Sequence, residues 1–387
     1  MSLCNLALLG STGSIGKSAL AVARALPERI RVSLLAAGRN WELLAEQARE
    51  FHPSCVCLED AAHLDDLRAA VPAGCKVISG REALCEAVRA PEITTVLCAI
   101  VGTGGLFPTL SAIRARKTIA LASKEVMVMA GRLVTEAVRQ CGARILPVDS
   151  EHSALFQCLE GRRPSEVARL ILTASGGPFR NTPLSEMDKM TWEQALAHPT
   201  WSMGPKVTVD SASLMNKALE MIEARWLFDV ESSRIEVLVH PQSIVHSLVR
   251  FRDGALMAQM SIPDMRFPIQ YALTWPEHTA SNLPRLDLAE IGTLTFERPD
   301  ESRFPSLGFA RAALEAGGAL PAVLNAANEI AFERFRAGAI RFTDIWRIVE
   351  RTMDALGRCG DETMDAILEA DARARDYARK LVLPASK

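Results

Sequence analysis

Over about 150 residues from its start, the chain alternates short apolar runs with helical patterns, which predicts a parallel, doubly wound sheet. Strands are expected at 5–9, 32–37, 56–58, 76–78, 94–101, 118–122 and 144–148. Helices are expected at 17–26, 41–51, 61–70, 82–89, 106–116 and 126–140. The alternation therefore predicts an α/β fold with a Rossmann-type N-terminal domain over residues 1–149.

A glycine-rich turn, Gly10-Ser11-Thr12-Gly13-Ser14-Ile15-Gly16, joins the first strand to the first helix. Glycines at such a turn let the backbone approach a pyrophosphate, whose charge is met by N–H groups at the start of the helix. The spacing is GxxGxxG, with Thr12 at the usual position of the middle glycine, so a plain loop is the alternative. Strand, turn and helix in this order predict a dinucleotide site.

The second strand ends at Gly38-Arg39-Asn40, where an NAD enzyme carries an acidic residue for the ribose 2′-hydroxyl. Arg39 is cationic, and a guanidinium forms charge-assisted hydrogen bonds to a 2′-phosphate. The alternative is a solvated arginine beside Asn40 as a helix cap. We favour the first interpretation, which predicts NADP(H).

Polar residues follow the last two strands of the series, as Ser123-Lys124-Glu125 and as Pro147-Val148-Asp149-Ser150-Glu151-His152. Open α/β sheets bind ligands at the carboxyl ends of their strands. If the chain stays extended beyond Val148, Asp149 and Glu151 point to the same side, and their repulsion requires a proton or a cation. The alternative is a solvated turn before a helix at 151–160, with Glu151 complementing the helix dipole.

Beyond this helix the pattern changes to a central α+β catalytic domain, expected over 150–275. Strands at 168–174, 235–239, 243–251 and 255–262, with a hairpin at Arg252-Asp253-Gly254, predict a mostly antiparallel sheet. A long insertion at 175–206, rich in Gly and Pro, carries His198, Trp201 and Met203. This composition predicts a lid, and an irregular surface insertion is the alternative.

A helix is expected from 210 to 226, opened by Asp210-Ser211-Ala212-Ser213. On it, Glu220 lies four residues after Asn216 and three after Lys217, so an amide, an ammonium and a carboxylate share one side. An ordinary surface pair between Lys217 and Glu220 is the alternative.

A Pro-containing linker at 276–300 precedes a C-terminal helix bundle over 301–387. The bundle helices are expected at 305–317, 321–337, 343–356 and 362–382, with Thr343 and Asp361 as caps. The run Asn325-Ala326-Ala327-Asn328-Glu329 is unusually polar for such a helix, and we expect it to pack against another domain.

The net charge limits the classes of binding partner, and the cysteines indicate the redox state of the cellular compartment. A net charge of -2 and a pI near 6.4 argue against nucleic acid or an anionic membrane as the main partner. Nine scattered cysteines without CxxC pairs indicate reduced thiols and no zinc framework. No basic and apolar leader is apparent and no apolar run approaches ~18 residues. We therefore expect a cytoplasmic protein that acts on small molecules.

Three carboxylates, Asp149, Glu151 and Glu220, suit a hard divalent ion such as Mg²⁺ or Mn²⁺. Hydrogen bonds and positive charge for one phosphate can come from Ser175, His198, Ser211, Asn216 and Lys217. A nicotinamide cofactor, a hard metal and a phosphate pocket together indicate reduction of a phosphorylated keto or aldehyde compound.

The joint motif set resembles that of the 1-deoxy-D-xylulose 5-phosphate reductoisomerase family over essentially the whole chain. The motifs are the glycine turn 10–16, Ser123-Lys124-Glu125, residues 147–152, Leu172-Thr173-Ala174-Ser175-Gly176-Gly177-Pro178-Phe179-Arg180, Met215-Asn216-Lys217-Ala218-Leu219-Glu220 and Val239-His240-Pro241-Gln242-Ser243. The resemblance implies a homodimer of the non-mevalonate isoprenoid pathway that makes 2-C-methyl-D-erythritol 4-phosphate. It also implies NADPH and Mg²⁺ or Mn²⁺ as cofactors, with Co²⁺ as a further candidate, and a metal-assisted rearrangement of the carbon skeleton followed by hydride transfer.

The resemblance also implies roles for individual residues. The metal ligands would be Asp149, Glu151 and Glu220, and the catalytic set would add Lys124 and His152. The substrate would contact Ser150, Glu151, Ser175, His198, Trp201, Met203, Ser211, Asn216, Lys217 and Glu220. The NADPH site would be lined by Thr12, Gly13, Ser14, Ile15, Gly38, Arg39, Asn40, Ser123, Glu125 and Gly204. Ser123 and Ala174 depart from the family, which often has asparagine and glycine there.

Two other function classes fit parts of the pattern. One is a plain NADP-dependent dehydrogenase of another phosphorylated substrate, which a metal requirement would argue against. The other is a non-catalytic NADPH-sensing regulator, against which the three carboxylates weigh.

Overall fold

The computed structural model describes residues 3–357, 359–360 and 363–383, which form two compact units. The first unit comprises residues 3–126, 134–156 and 264–285. The second takes the other described residues.

A seven-stranded sheet forms the centre of the first unit. Its strands are β1 (Cys4–Leu9), β2 (Ile30–Ala37), β3 (Cys55–Leu58), β4 (Lys76–Ser79), β5 (Thr95–Cys98), β6 (Thr118–Leu121) and β7 (Arg144–Pro147). All neighbours are parallel in the order β4-β3-β2-β1-β5-β6-β7. The chain direction across the sheet reverses between β1 and β5, which is the switch point where such sheets bind ligands. The predicted doubly wound sheet is confirmed.

The helices that connect and follow these strands are α1 (Ser14–Ala25), α2 (Trp41–Phe51), α3 (Leu64–Ala70), α4 (Arg81–Ala87), α5 (Leu106–Arg114), α6 (Glu125–Cys141) and α7 (Ser150–Leu159). The central strand β1 is buried along residues 6–9. A strand with helices over both faces must be apolar on both, so it appears in sequence as a continuous apolar run.

The first unit also contains a helix from much later in the chain, α12 (Arg266–Thr274). The sequence analysis assigns these residues to the central domain. The apolar side chains Ile269, Ala272 and Leu273 are buried in the same core as β1, and this burial attaches the helix to the first unit.

The second unit contains a four-stranded sheet made of β8 (Val167–Ala174), β9 (Ile235–Val239), β10 (Val245–Phe251) and β11 (Leu256–Met260). The order is β11-β10-β8-β9, with β10 antiparallel to both neighbours and β8 parallel to β9. The sheet is therefore mixed, with two of its three ladders antiparallel as expected. The predicted hairpin turns at Gly254, whose φ is +91°.

The helices of the second unit include α8 (Leu184–Met187), α9 (Trp192–Leu196), α10 (Pro205–Ala212), α11 (Met215–Phe228), α13 (Leu288–Ile291), α14 (Ser306–Ala316), α15 (Leu320–Arg336), α16 (Asp344–Leu356) and α17 (Met364–Lys380). The four C-terminal helices α14 to α17 are confirmed. Thr343 precedes α16 without capping it, Asp361 lies outside the described residues, and the hydroxyl of Thr363 caps α17.

The single helix expected from 210 to 226 is wrong, because two helices cover this region. Pro205 at the first position starts α10 five residues earlier, as proline does at helix N-termini. The helix stops at Ser213, and Leu214 adopts a left-handed conformation with φ of 57° before α11 begins.

Among the described residues, we find no helix with both the length and the apolarity needed to cross a membrane.

Candidate active site

The glycine turn after β1 is packed closely against the sheet. A Cβ on Gly10, whose φ is +91°, would lie 2.5 Å from the carbonyl oxygen of Ala99, and a Cβ on Gly16 would lie 2.3 Å from that of Gly10. Gly13 is the N-cap of α1 and supplies no side-chain cap, so the first N–H groups of α1 lack that partner. Thr12, Ser14 and Ile15 flank this N-terminus. The turn has the tight backbone and the helix N-terminus that a pyrophosphate requires.

At the end of β2, Asn40 caps the next helix and Arg39 remains available to a ligand. The side-chain oxygen of Asn40 accepts a hydrogen bond of 3.1 Å from the backbone N–H of Leu43, so Asn40 caps α2. Arg39 is exposed, and no side chain in the described part of the molecule pairs with its guanidinium. Its charge is therefore available to an anionic ligand.

Ser123 lies just after the end of β6. Its hydroxyl lies 2.6 Å from the carbonyl oxygen of Ile100 and 3.2 Å from that of Cys98. Because a hydroxyl has one proton to donate, these bonds direct Ser123 toward the loop after β5. Glu125 is the first residue of α6, two positions later.

Asp149 is the centre of a polar cluster at the end of β7. Its carboxylate lies 2.7 Å from the Nζ of Lys124 and 3.2 Å from the Nδ1 of His152, and it accepts a 3.3 Å bond from the backbone N–H of Glu151. Ser150 donates a 2.6 Å bond to the Glu151 carboxylate. His152 is fully buried, while Asp149 and Glu151 are half-buried.

The chain does not stay extended through Asp149 and Glu151, because α7 begins at Ser150, close to the alternative considered above. The carbonyl oxygen of Asp149 accepts from Ser153, so Asp149 stands at the N-terminal end of the helix and Glu151 in its first turn. Negative side chains are stabilised there by the helix dipole. The ammonium group of Lys124 supplies a cation beside Asp149.

In the second unit, the end of β8 presents Ser175 to His198 of the 175–206 insertion. The Nδ1 atom of His198 accepts from the backbone N–H groups of Thr200 and Trp201, at 3.1 and 2.9 Å. The proton of a neutral ring is then on Nε2, which lies 2.8 Å from the Oγ of Ser175. Burial lowers the pKa of His198, which favours this neutral form.

Ser175 is left with a hydroxyl proton for a ligand. Its Oγ accepts from His198 and also from the backbone N–H of Gly177, at 3.2 Å. Both lone pairs are thereby used, and an acceptor such as a phosphate oxygen completes the hydroxyl's hydrogen bonding.

Helix α11 places Asn216, Lys217 and Glu220 together, as the spacing predicted. The amide of Asn216 donates a 2.6 Å bond to one oxygen of Glu220, and the ammonium group of Lys217 contacts the other. Lys217 and Glu220 are buried, so the pair is not the solvated surface pair considered above. Ser211 is also buried and precedes this set on α10.

The other predicted site residues of the insertion lie between His198 and the start of α10. Trp201 and Met203 are half-buried, Gly204 is the N-cap of α10, and Thr208 donates a 3.0 Å bond to the Gly204 carbonyl oxygen. The ring centroid of Trp201 is 6.2 Å from that of His246.

Two further histidines, His240 and His246, lie near these groups and were not among the predicted site residues. His246 is buried and its Nε2 lies 2.8 Å from the Oγ of Ser261, and burial lowers its pKa to about 4. His240 donates from Nδ1 to the carbonyl oxygen of Thr295 and accepts on Nε2 from Ile244. The quoted motif 239–243 was the available signal for His240, whereas His246 sits in an unremarkable strand pattern.

The side chains described above suit the metal ion and the dinucleotide cofactor that the sequence predicts. The ligand candidates Asp149, Glu151 and Glu220 offer carboxylate oxygens only, which is the donor chemistry of Mg²⁺ and Mn²⁺. The glycine turn and Arg39 fit a dinucleotide with a 2′-phosphate.

Comparison with known proteins identifies the family. The family description 1-deoxy-D-xylulose 5-phosphate reductoisomerase matches residues 6–131, and its C-terminal domain matches residues 145–228. The DXP reductoisomerase C-terminal domain matches residues 260–377.

Full-length relatives agree with this assignment. The chain is 51% identical over 379 residues to the 1-deoxy-D-xylulose 5-phosphate reductoisomerase of Pelodictyon phaeoclathratiforme, covering 98% of this chain and 99% of the relative. It is 53% identical over 380 residues to that of Symbiobacterium thermophilum, with 97% and 98% covered.

Solved structures are similar over the same length. The reductoisomerase from Zymomonas mobilis in complex with NADPH has 42% identity and a TM-score of 0.92, with 98% of each chain covered. A DOX-P reductoisomerase in complex with NADPH, fosmidomycin and magnesium has 40% identity and a TM-score of 0.92, with 97% of each chain covered. The chain therefore belongs to the 1-deoxy-D-xylulose 5-phosphate reductoisomerase family.

Proposed function

We propose that this chain converts 1-deoxy-D-xylulose 5-phosphate to 2-C-methyl-D-erythritol 4-phosphate in the non-mevalonate isoprenoid pathway, using NADPH and a divalent metal ion. The observation that carries the proposal is the hydrogen-bonded set Asn216, Lys217 and Glu220 on α11, of which Lys217 and Glu220 are buried, and which would supply phosphate donors and a metal ligand from one helix. Related reductoisomerases bind NADPH, magnesium and fosmidomycin, which agrees with the groups that these side chains suit.

The phosphate of the substrate would be bound by Ser175, Ser211, Asn216 and Lys217, with His198 acting on Ser175. Neutral His198 donates to the Ser175 oxygen and so directs the hydroxyl proton of Ser175 toward the phosphate. Lys217 supplies the positive charge. Trp201 and Met203 would cover the substrate, which excludes water from the charged groups.

The metal ion would be held by Asp149, Glu151 and Glu220, and when bound it supplies Lewis-acid polarisation of the reacting oxygens. Ser150 orients the Glu151 carboxylate through its 2.6 Å bond. Lys124 and His152 contact Asp149, so they fix its orientation.

NADPH would bind along the carboxyl edge of the seven-stranded sheet. The N–H groups around Gly13, Ser14 and Ile15 would bind the pyrophosphate, Arg39 the 2′-phosphate, and Asn40 would orient that turn by capping α2. Thr12, Gly38, Ser123, Glu125 and Gly204 complete the proposed cofactor set. Ser123 would affect NADPH binding indirectly, through the loop after β5, because its hydroxyl donates to the carbonyl oxygen of Ile100.

We further propose a homodimer in the cytoplasm. The family resemblance supports the dimer. The nine cysteines are all free thiols, which agrees with a reducing compartment.

The proposal is tested by following NADPH absorbance with 1-deoxy-D-xylulose 5-phosphate, with Mg²⁺ and with a chelator. We expect oxidation that requires both the sugar phosphate and the metal. Oxidation that continues undiminished in the chelator would contradict a metal-dependent reductoisomerase and favour a plain dehydrogenase.

A further inference from the structure

The turn between α10 and α11 carries the proposed substrate groups on either side of it. We call Ser213 and Leu214 the elbow, since Ser211 lies just before them and Asn216, Lys217 and Glu220 just after. Leu214 holds a left-handed conformation with φ of 57°, which is costly for a branched side chain. Such a conformation persists only where neighbouring groups enforce it.

The enforcing groups come from the C-terminal helices. The hydroxyl of Ser306, at the start of α14, donates a 2.8 Å bond to the carbonyl oxygen of Ser213. The indole N–H of Trp346, on α16, points at the same oxygen at 3.2 Å and at the Ser306 hydroxyl at 3.0 Å. Both side chains are buried, so these bonds do not compete with water.

A second anchor lies one turn earlier on α10. The amide of Asn328, on α15, donates a 3.1 Å bond to one carboxylate oxygen of Asp210, and Lys206 contacts the other. Asn328 and Asp210 are buried. Asp210 immediately precedes Ser211, so the direction of its side chain constrains where the Ser211 hydroxyl lies.

We propose that Ser306, Trp346 and Asn328 are positioning residues for substrate binding, which hold the elbow so that Ser211, Asn216 and Lys217 converge on one phosphate. The inference rests on the proposed function, because it takes those three residues as phosphate ligands. The C-terminal helices thereby act on the substrate through α10 and α11 without touching it.

The test compares Ser306→Ala and Trp346→Phe with the control Thr352→Val. Each of the first two removes a hydrogen-bond donor at Ser213, and phenylalanine keeps an aromatic ring at the position that packs edge-on against Phe304 and Phe342. Thr352 is a buried hydroxyl on the same helix as Trp346, and it donates only to the carbonyl oxygen of Ile348, away from the elbow.

Calorimetry with fosmidomycin, in the presence of Mg²⁺ and NADPH, gives the readout. We expect Ser306→Ala and Trp346→Phe to raise the fosmidomycin Kd and the KM for 1-deoxy-D-xylulose 5-phosphate by about three- to tenfold, the scale of one lost hydrogen bond. The value of kcat should change less, because the phosphate contacts are made equally in the ground and transition states. The Kd for NADPH should also change less, because the elbow holds groups for the substrate phosphate. Thr352→Val should keep wild-type binding even where its melting temperature falls by a similar amount.

Fosmidomycin affinities in Ser306→Ala and Trp346→Phe equal to that of Thr352→Val would overturn the inference, since the helices would then contribute stability only. Binding is measured independently of turnover. A wild-type protein that binds fosmidomycin but oxidises no NADPH with the sugar phosphate would contradict the proposed function, while the comparison of variants would still decide the role of the elbow.

Discussion

Hydrogen bonds from neighbouring backbone groups can determine the protonation and orientation of a single side chain. His198 shows this best, because two backbone N–H groups fix which ring nitrogen carries the proton. Arg39 is the opposite case, an exposed cation at a strand end whose role depends on a ligand. Residue identity alone suggested both sites, whereas the tautomer of His198 required the folded backbone.

Replacing Arg39 with aspartate tests the cofactor assignment at this scale. The carboxylate repels a 2′-phosphate and accepts from a 2′-hydroxyl, so Arg39→Asp should lower the ratio of NADPH to NADH affinity about ten- to hundredfold. Fluorescence titration with each nucleotide measures this ratio. Arg31→Asp makes the same charge change near the other end of β2 and should keep the wild-type ratio. If the two variants behave alike, Arg39 does not contact the cofactor.

His246 predicts a dependence of stability on pH. Burial lowers its pKa from 6.5 to about 4, so the unfolded chain binds its proton first as the pH falls. The contribution of this histidine is therefore fully present above pH 6.5 and is lost as the pH falls from there to about 4, by about 3 kcal/mol at most. Beside it, His240 and Lys217 also disfavour the charged ring.

Denaturant unfolding of wild type and His246→Gln between pH 7 and pH 4 measures this contribution to the free energy of unfolding. The free energy of unfolding should fall less steeply in His246→Gln, which has no titrating ring at this position. His52→Gln, at an exposed site, should retain the wild-type slope. Parallel curves for wild type and His246→Gln would show that folding does not shift the pKa of this ring.

At the scale of elements, the 175–206 insertion divides into an anchored part and a part next to the site. The short helix α9 packs against α15, with the ring of Trp192 centred 5.6 Å from that of Phe332 and 6.0 Å from that of Phe335. Asp188 contacts Thr343 and lies 3.4 Å from Arg341. We therefore propose that only residues 197–204 move as a lid.

Limited proteolysis tests this division. Cleavage should concentrate at 197–204 and slow when NADPH, Mg²⁺ and fosmidomycin are added together, while 184–196 should resist in either state. Trp192→Ala removes the aromatic anchor and should open 184–196 to cleavage, since truncating a half-buried tryptophan costs about 2–3 kcal/mol. The control Trp41→Ala, in the first unit, should leave the pattern unchanged. Rapid cleavage of 184–196 in the wild type would contradict the anchoring.

Element types were largely predictable from the sequence, and the breaks within them were not. The seven strands of the first sheet follow from buried apolar runs, which differ clearly from the helical periodicity between them. The break at Leu214 was missed, because the hydrogen bonds that enforce it come from Ser306 and Trp346, far along the chain. Likewise α12 joined the first unit through burial of Ile269, a contact that no local pattern reveals.

For the whole molecule, candidate site residues could be listed from motifs, while their hydrogen-bonding partners could not. Asn328 lies in a polar run that was expected to pack against another domain, but its partner Asp210, 118 positions away, could not be named from the sequence. The family assignment and the fold agree over 98% of the chain. The remaining claim at this scale is that carboxylates from distant parts of the sequence hold one ion.

Calorimetric titration of Mn²⁺ in the presence of fosmidomycin tests that claim most directly. Asp149→Asn, Glu151→Gln and Glu220→Gln each keep the size of the side chain and remove one charge, so each should weaken Mn²⁺ binding by about tenfold or more. NADPH affinity should be retained in all three, and the control Glu236→Gln, which pairs with Arg169 on the sheet, should bind Mn²⁺ like the wild type. Wild-type Mn²⁺ affinity in all three carboxylate variants would show that the ion binds elsewhere.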